Sequence, residues 1–111
     1  FFVGEILAKH HRLVRAYTIL PHGEGDVDIV LLTHGKKPVM GYEVKLGSFS
    51  RSEARRAVER MKKLGIPKTG LVSLVEKPPE LADEVLGPED LVEIARVLAE
   101  ERRKELCREA V

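Results

Sequence analysis

Apolar and polar residues alternate along the first half of the chain with two different periods. Apolar side chains such as Phe2, Ile6 and Leu7 recur at helical spacing over residues 1–13, with no internal proline. Three runs rich in strand-forming residues follow, each bounded by a turn that contains glycine or proline: 14–20, 28–33 and 39–45. The pattern predicts a helix followed by a three-stranded antiparallel meander.

A helix and a buried strand are predicted next. Ser50 and Glu53 have the spacing of a capping box, and the apolar stripe behind them predicts a helix over residues 51–64. A continuous apolar run at residues 69–75 predicts a strand that is reached by a crossover and is therefore parallel to the last strand of the meander. The remaining predicted elements are a short strand at 84–86 and a long helix from Pro88.

Together these elements predict an α/β fold in which helices flank a mixed β-sheet, an antiparallel meander plus a parallel strand. With 111 residues, the chain has about the length of one domain, and we expect residues 1–111 to form one. No apolar run approaches the roughly 20 residues of a membrane helix. The single cysteine, Cys107, excludes an internal disulfide and is typical of a cytoplasmic protein.

Amino-acid composition adds an expectation about the source. Asn and Gln are absent from the whole chain, whereas Lys, Arg and Glu are abundant. This bias is typical of proteins that work at high temperature, so we expect a hyperthermophile. Because the chain begins at Phe1 rather than at Met, we also expect it to be one domain of a longer protein.

Charge is distributed unevenly. Residues 1–75 contain 13 Lys and Arg against 7 Asp and Glu, a net charge of +6, and residues 76–111 contain 6 against 11, a net charge of −5. A basic N-terminal part would suit a polyanionic partner such as DNA. The alternative is that both parts simply carry solvated helix faces.

Charged residues stand at the ends of the second and third predicted strands. Asp28 begins one, with Asp26 as a rival on the same side, and Glu43 and Lys45 share one face at the end of the other. If these strands are neighbours, Asp28 and Glu43 can converge on Mg²⁺ or Mn²⁺, and Lys45 can assist phosphodiester hydrolysis. The alternative is an exposed ion pair between Glu43 and Lys45, worth about 0.2–1 kcal/mol.

A family resemblance rests on these residues. The order of a helix with Glu5, a strand, Val27-Asp28-Ile29-Val30, Gly41-Tyr42-Glu43-Val44-Lys45, a helix and a strand resembles the PD-(D/E)XK nuclease superfamily, which has the restriction-endonuclease-like fold. The chain looks most similar to archaeal Holliday-junction resolvases, Mrr-like nucleases and the nuclease-like C-terminal domain of archaeal ATPases. The resemblance implies that Asp28, Glu43 and the Val44 carbonyl bind the metal. It also implies that Lys45 is catalytic and that Glu5 assists the metal or the water.

The chain departs from the family pattern at two points. Val27 stands where the name-giving proline would be. No Asn or Gln follows on the next predicted helix, so we expect Arg51 and Arg55 to contact phosphate instead. We expect the turn lysines Lys36 and Lys37 to be further nucleic-acid contacts.

Three hypotheses of function follow. The first is a divalent-metal-dependent nuclease that acts on DNA. The second is a non-catalytic module of the same fold that binds DNA or a partner and is appended to an archaeal ATPase. The third is an assembly domain that forms a homodimer through the helix from Pro88. Because the chain has no Walker-type phosphate loop, ATPase activity would have to lie in another domain or in a partner chain.

Overall fold

The predicted order of elements is confirmed by the computed structural model, which describes residues 2–16 and 29–109. Their bounds are α1 Phe2–His11, β1 Val14–Ala16, β2 Ile29–Leu32, β3 Pro38–Lys45, α2 Arg51–Lys63, β4 Lys68–Ser73, β5 Glu84–Leu86 and α3 Pro88–Glu109. Residues 17–20 of the first predicted strand and residue 28 of the second lie outside the described residues. Elsewhere the predicted and observed bounds coincide or differ by no more than two residues.

The five strands form one mixed sheet in the order β1-β2-β3-β4-β5. β1 pairs with β2 and β2 with β3 in antiparallel orientation, whereas β3 with β4 and β4 with β5 are parallel. Ile29 of β2 pairs with Tyr42 of β3, and Lys45 of β3 pairs with Ser73 of β4. The α/β class, the antiparallel meander and the parallel β3–β4 pair are therefore confirmed.

Each face of the sheet packs against a different set of helices. Met40 and Tyr42 of β3 belong to the core that is shared with α1 and α3. The intervening Gly41 faces α2, since a Cβ built there would lie within 3.3 Å of Ile66 and Met61. Successive side chains of β3 thus alternate between the two layers, as strand geometry requires. Glu43 lies on the α2 side, where its carboxylate contacts a side chain of that helix.

Helix α2 has the predicted N-terminal cap. The Ser50 hydroxyl accepts a hydrogen bond from the Glu53 amide, and the Glu53 carboxylate accepts one from the Ser50 amide. At the other end Gly65 adopts φ +77°, and the Ile66 amide donates to the Met61 carbonyl. This left-handed glycine and this hydrogen bond are typical of a Schellman motif, which explains why the helix ends there.

Helix α1 ends with the same motif but without glycine. The Leu13 amide donates to the Ala8 carbonyl and the Arg12 amide to the Lys9 carbonyl, while Arg12 itself adopts φ 56°. A residue with a Cβ is strained in this left-handed conformation. The end of α1 therefore carries a small local cost that the end of α2 avoids.

Helix α3 begins at Pro88 and extends well past the core. The Gly87 amide donates to the Asp90 carboxylate at its start, and Leu91 and Ile94 pack into the core shared with α1. Side chains from 101 to 108 are all exposed. Within the described ranges, no helix combines the length and the apolar character needed to cross a membrane.

Candidate functional site

A polar cavity of about 370 Å³ lies where the carboxyl end of β3 meets α2. It combines two carboxylates with three cationic side chains, and its lining residues are Glu43, Val44, Lys45, Glu53, Arg56 and Arg60. Two features of the sequence create it. Glu43 and Lys45 are two residues apart on a strand, so they share a face, and the capping box fixes where α2 begins opposite them.

Both charged residues at the end of β3 pair with α2 rather than with each other. The Arg60 guanidinium donates to Glu43 Oε1 at 2.5 Å, and the Lys45 ammonium donates to Glu53 Oε2. The Lys45 Nζ also lies 5.3 Å from the centroid of the Phe49 ring. The alternative of an exposed ion pair between Glu43 and Lys45 is therefore wrong.

Glu53 is an acid of the cavity whose pKa is lowered by its contacts. Its hydrogen bond from Lys45, followed by its hydrogen bonds with Ser50, lowers the pKa of Glu53 to about 2. Each of these contacts favours the ionised carboxylate. Glu53 therefore stays charged at neutral pH and holds the Lys45 ammonium beside the cavity.

The two arginines of the cavity differ in their contacts. Arg60 uses its Nη2 on Glu43, but its Nε is buried without a hydrogen-bond partner among the described residues. Arg56 lines the cavity and makes no ion pair within the described part of the chain. Because Glu43 and Glu53 are each matched by a cation, Arg56 is the cation in excess among the described residues that line the cavity.

The other candidate site residues lie in several places. Asp26 and Asp28 are outside the described residues. Glu5 is exposed and lines a separate groove between α1 and α3, with Ile6 and Lys9 on its own helix. The cavity at β3 is lined by β3 and α2, so the described structure does not place Glu5 in it.

The candidate DNA-contacting residues are also spread over the surface. Arg51 and Arg55 are exposed on α2 but do not line the cavity. Lys36 and Lys37 are exposed in the turn before β3. Because β3 has eight residues, this turn lies about 25 Å along the strand from Lys45.

Three residues of the cavity were not among the predicted site residues: Glu53, Arg56 and Arg60. The sequence did contain a signal for them. Positions 53, 56 and 60 follow one another at spacings of three and four residues, which places them along one side of a helix. They border the buried stripe of Ala54, Ala57, Val58 and Met61, and a charged row beside a buried stripe indicates contact with the strand beneath.

A second polar cluster lies on the opposite layer of the fold. The Tyr42 hydroxyl, on a fully buried side chain, bonds Glu84 Oε1 and His11 Nε2, each at 2.9 Å. His11 Nε2 is also 3.4 Å from Glu84 Oε2. Burial and then the adjacent Glu84 carboxylate raise the pKa of Tyr42 far above its usual range. The cluster joins the end of α1 to β3 and β5, and no motif in the sequence pointed to it.

Over residues 2–16 and 29–109, no group of three or more His, Cys, Asp or Glu side chains is arranged to hold a metal ion. Comparison with protein-family models, with curated proteins and with solved structures found no significant match. Inferences about function therefore rest on the geometry of the cavity and on the motif in the sequence.

Proposed function

We propose that this chain is a divalent-metal-dependent phosphodiesterase of the restriction-endonuclease-like type that cleaves DNA. The observation that carries the proposal is the cavity at the end of β3. It places Glu43, Lys45 and the Val44 backbone at one site, together with two arginines. A carboxylate, a backbone carbonyl and a lysine are the groups that the family motif uses for phosphodiester hydrolysis.

The proposed metal ligands are Asp28, Glu43 and the Val44 carbonyl. Glu43 and Val44 supply oxygen donors, the type that Mg²⁺ and Mn²⁺ prefer, so the donors in the cavity fit such an ion. Support for Asp28 comes from its neighbour in sequence, because Ile29 pairs with Tyr42, the residue before Glu43. When bound there, the ion would supply Lewis-acid polarisation of the phosphodiester.

Lys45 has the clearest role among the residues of the chain itself. Its contact with Glu53 positions the ammonium in the cavity that Glu43 also lines. A fixed cation at this point stabilises the negative charge that develops on the phosphate during hydrolysis. We assign Glu5 no step, because it lines the groove between α1 and α3.

Cleavage of branched, single-stranded and duplex DNA in the presence of Mg²⁺ or Mn²⁺ tests the proposal. Lys45→Ala and Asp28→Ala are expected to reduce the cleavage rate by at least about 100-fold, since each removes a group that acts on the transition state. Lys62→Ala is the matched control, because Lys62 is an exposed lysine of α2 that does not line the cavity. The proposal fails if wild-type protein cleaves none of these substrates, or if Lys45→Ala cleaves at the wild-type rate.

The second candidate is a non-catalytic domain of the same fold that binds DNA or a partner and is appended to an archaeal ATPase. The observation that favours it is the pairing of Glu43 with Arg60 and of Lys45 with Glu53, because these contacts give both residues of β3 a structural role in joining α2 to the sheet. This candidate predicts salt-sensitive DNA binding that survives Glu43→Ala, with no cleavage by any variant. Cleavage that depends on Lys45 would contradict it.

A further inference from the structure

The charges around the cavity favour an anion. Its two carboxylates are each matched by a cation, Glu43 by Arg60 and Glu53 by Lys45. Arg56 completes the lining without a partner of its own among the described residues. Over the described lining residues, three cationic side chains therefore stand against two carboxylates, and this balance favours a negatively charged group.

Arg60 supplies a second reason to expect an anion in the cavity. Its Nε is a buried donor without an acceptor in the described structure, and a buried donor that lacks an acceptor is unfavourable. A guanidinium presents its donors in a planar fork that matches two oxygens of one phosphate. A small rotation of Arg60 towards a phosphate would give this Nε an acceptor that the resting structure does not provide.

We propose that Arg56 and Arg60 of α2 form a phosphate subsite in this cavity, which binds one phosphate group of a DNA backbone next to Lys45. The inference rests on the proposed function, because it takes DNA as the ligand. From the sequence we expected Arg55 to contact phosphate. The subsite instead assigns this contact to the adjacent Arg56, since Arg55 does not line the cavity. Arg60 then contacts both Glu43 and the substrate.

Fluorescence anisotropy with a short labelled single-stranded oligonucleotide tests the subsite. The measurement is made in EDTA, so that binding is separated from cleavage. Arg56→Ala is expected to weaken binding about tenfold, as expected for the loss of one charge-assisted contact. The slope of log K against log salt should fall by about 0.7, since one fewer phosphate is neutralised. Arg56→Lys should retain most of that slope, because it retains the charge.

Two further variants on the same helix make the test specific. Lys62→Ala removes one exposed positive charge of α2 outside the cavity and should change affinity by less than about twofold. Arg55→Ala should have a clearly smaller effect than Arg56→Ala. Arg56 is exposed, and alanine favours helix, so circular dichroism should show an intact fold for Arg56→Ala.

The subsite is wrong if Arg56→Ala binds as tightly as wild type, if it weakens binding no more than Lys62→Ala does, or if wild-type protein does not bind the oligonucleotide at low salt. Its failure differs from failure of the nuclease proposal. Cleavage that Arg56→Ala leaves unchanged would exclude the subsite alone. Binding that depends on Arg56 without cleavage under any metal would exclude the nuclease alone.

Discussion

Tyr42→Phe is expected to destabilise the fold by about 1–2 kcal/mol. The substitution removes a hydroxyl that bonds the Glu84 carboxylate and the His11 ring, and a hydrogen bond to a charged group contributes about 1.5–3 kcal/mol. Part of this is recovered, because His11 and Glu84 are 23% and 24% exposed and can be hydrated when the hydroxyl is absent. For a chain of this length, the loss corresponds to a fall in Tm of about 4–9 °C.

The pH dependence of stability provides a second readout for the same variant. Burial and Glu84 raise the pKa of Tyr42, whereas an unfolded tyrosine ionises near 10.0. Because the folded pKa is the higher one, this stabilisation is complete below pH 10 and is lost as the pH rises above it. Wild-type protein should therefore lose stability above pH 10 more steeply than Tyr42→Phe does.

Urea unfolding followed by circular dichroism measures both effects. Glu84→Gln is the matched comparison, since an amide oxygen can still accept the Tyr42 hydrogen bond, and it should cost less than Tyr42→Phe. Equal stability of Tyr42→Phe and wild type, together with the same slope above pH 10, would refute the inferred contribution of the hydroxyl.

Three other predictions concern single positions. Gly70→Ala should cost about 1–3 kcal/mol in urea unfolding, because its Cβ would lie 2.3 Å from the Tyr42 ring; an unchanged midpoint would contradict this close packing. Arg12→Gly should stabilise the chain by about 0.5–1 kcal/mol, since glycine adopts φ 56° without strain, and a lower Tm would count against strain at this position. The hydrogen bond from Lys45, followed by those with Ser50, lowers the pKa of Glu53 to about 2 from 4.5. Stability from this shift is present above pH 4.5 and is lost as the pH falls towards 2, so Glu53→Gln should show a flatter acid limb than wild type; equal acid limbs would oppose this assignment.

Element order was predictable from local signals. The capping box of Ser50 and Glu53 spans only four residues and predicts where α2 begins. The structure contains that cap. The crossover rule predicted the parallel β3–β4 pair because strand, helix and strand follow one another directly. Alternation along β3 also correctly separated Tyr42 from Glu43 and Lys45.

Contacts between distant elements were not predictable in the same way. Arg60 meets Glu43 across 17 positions, and Tyr42 meets Glu84 across 42. Such contacts depend on the rotation of a helix about its axis and on which strands become neighbours, neither of which a local pattern specifies. The proposed metal site stays a prediction from the motif, since Asp28 lies outside the described residues.

The length of α3 predicts where a protease will first cut the chain. Up to Ile94 the helix is anchored in the core, whereas the side chains from 101 to 108 are exposed and ion pairs such as Arg103 with Glu100 join neighbouring turns. Such turns open locally at a small fraction of the free energy that opens the core. Trypsin should therefore cut after Arg102, Arg103 or Lys104 well before it cuts α2, and the sheet with its two layers of helices should survive the loss of that end.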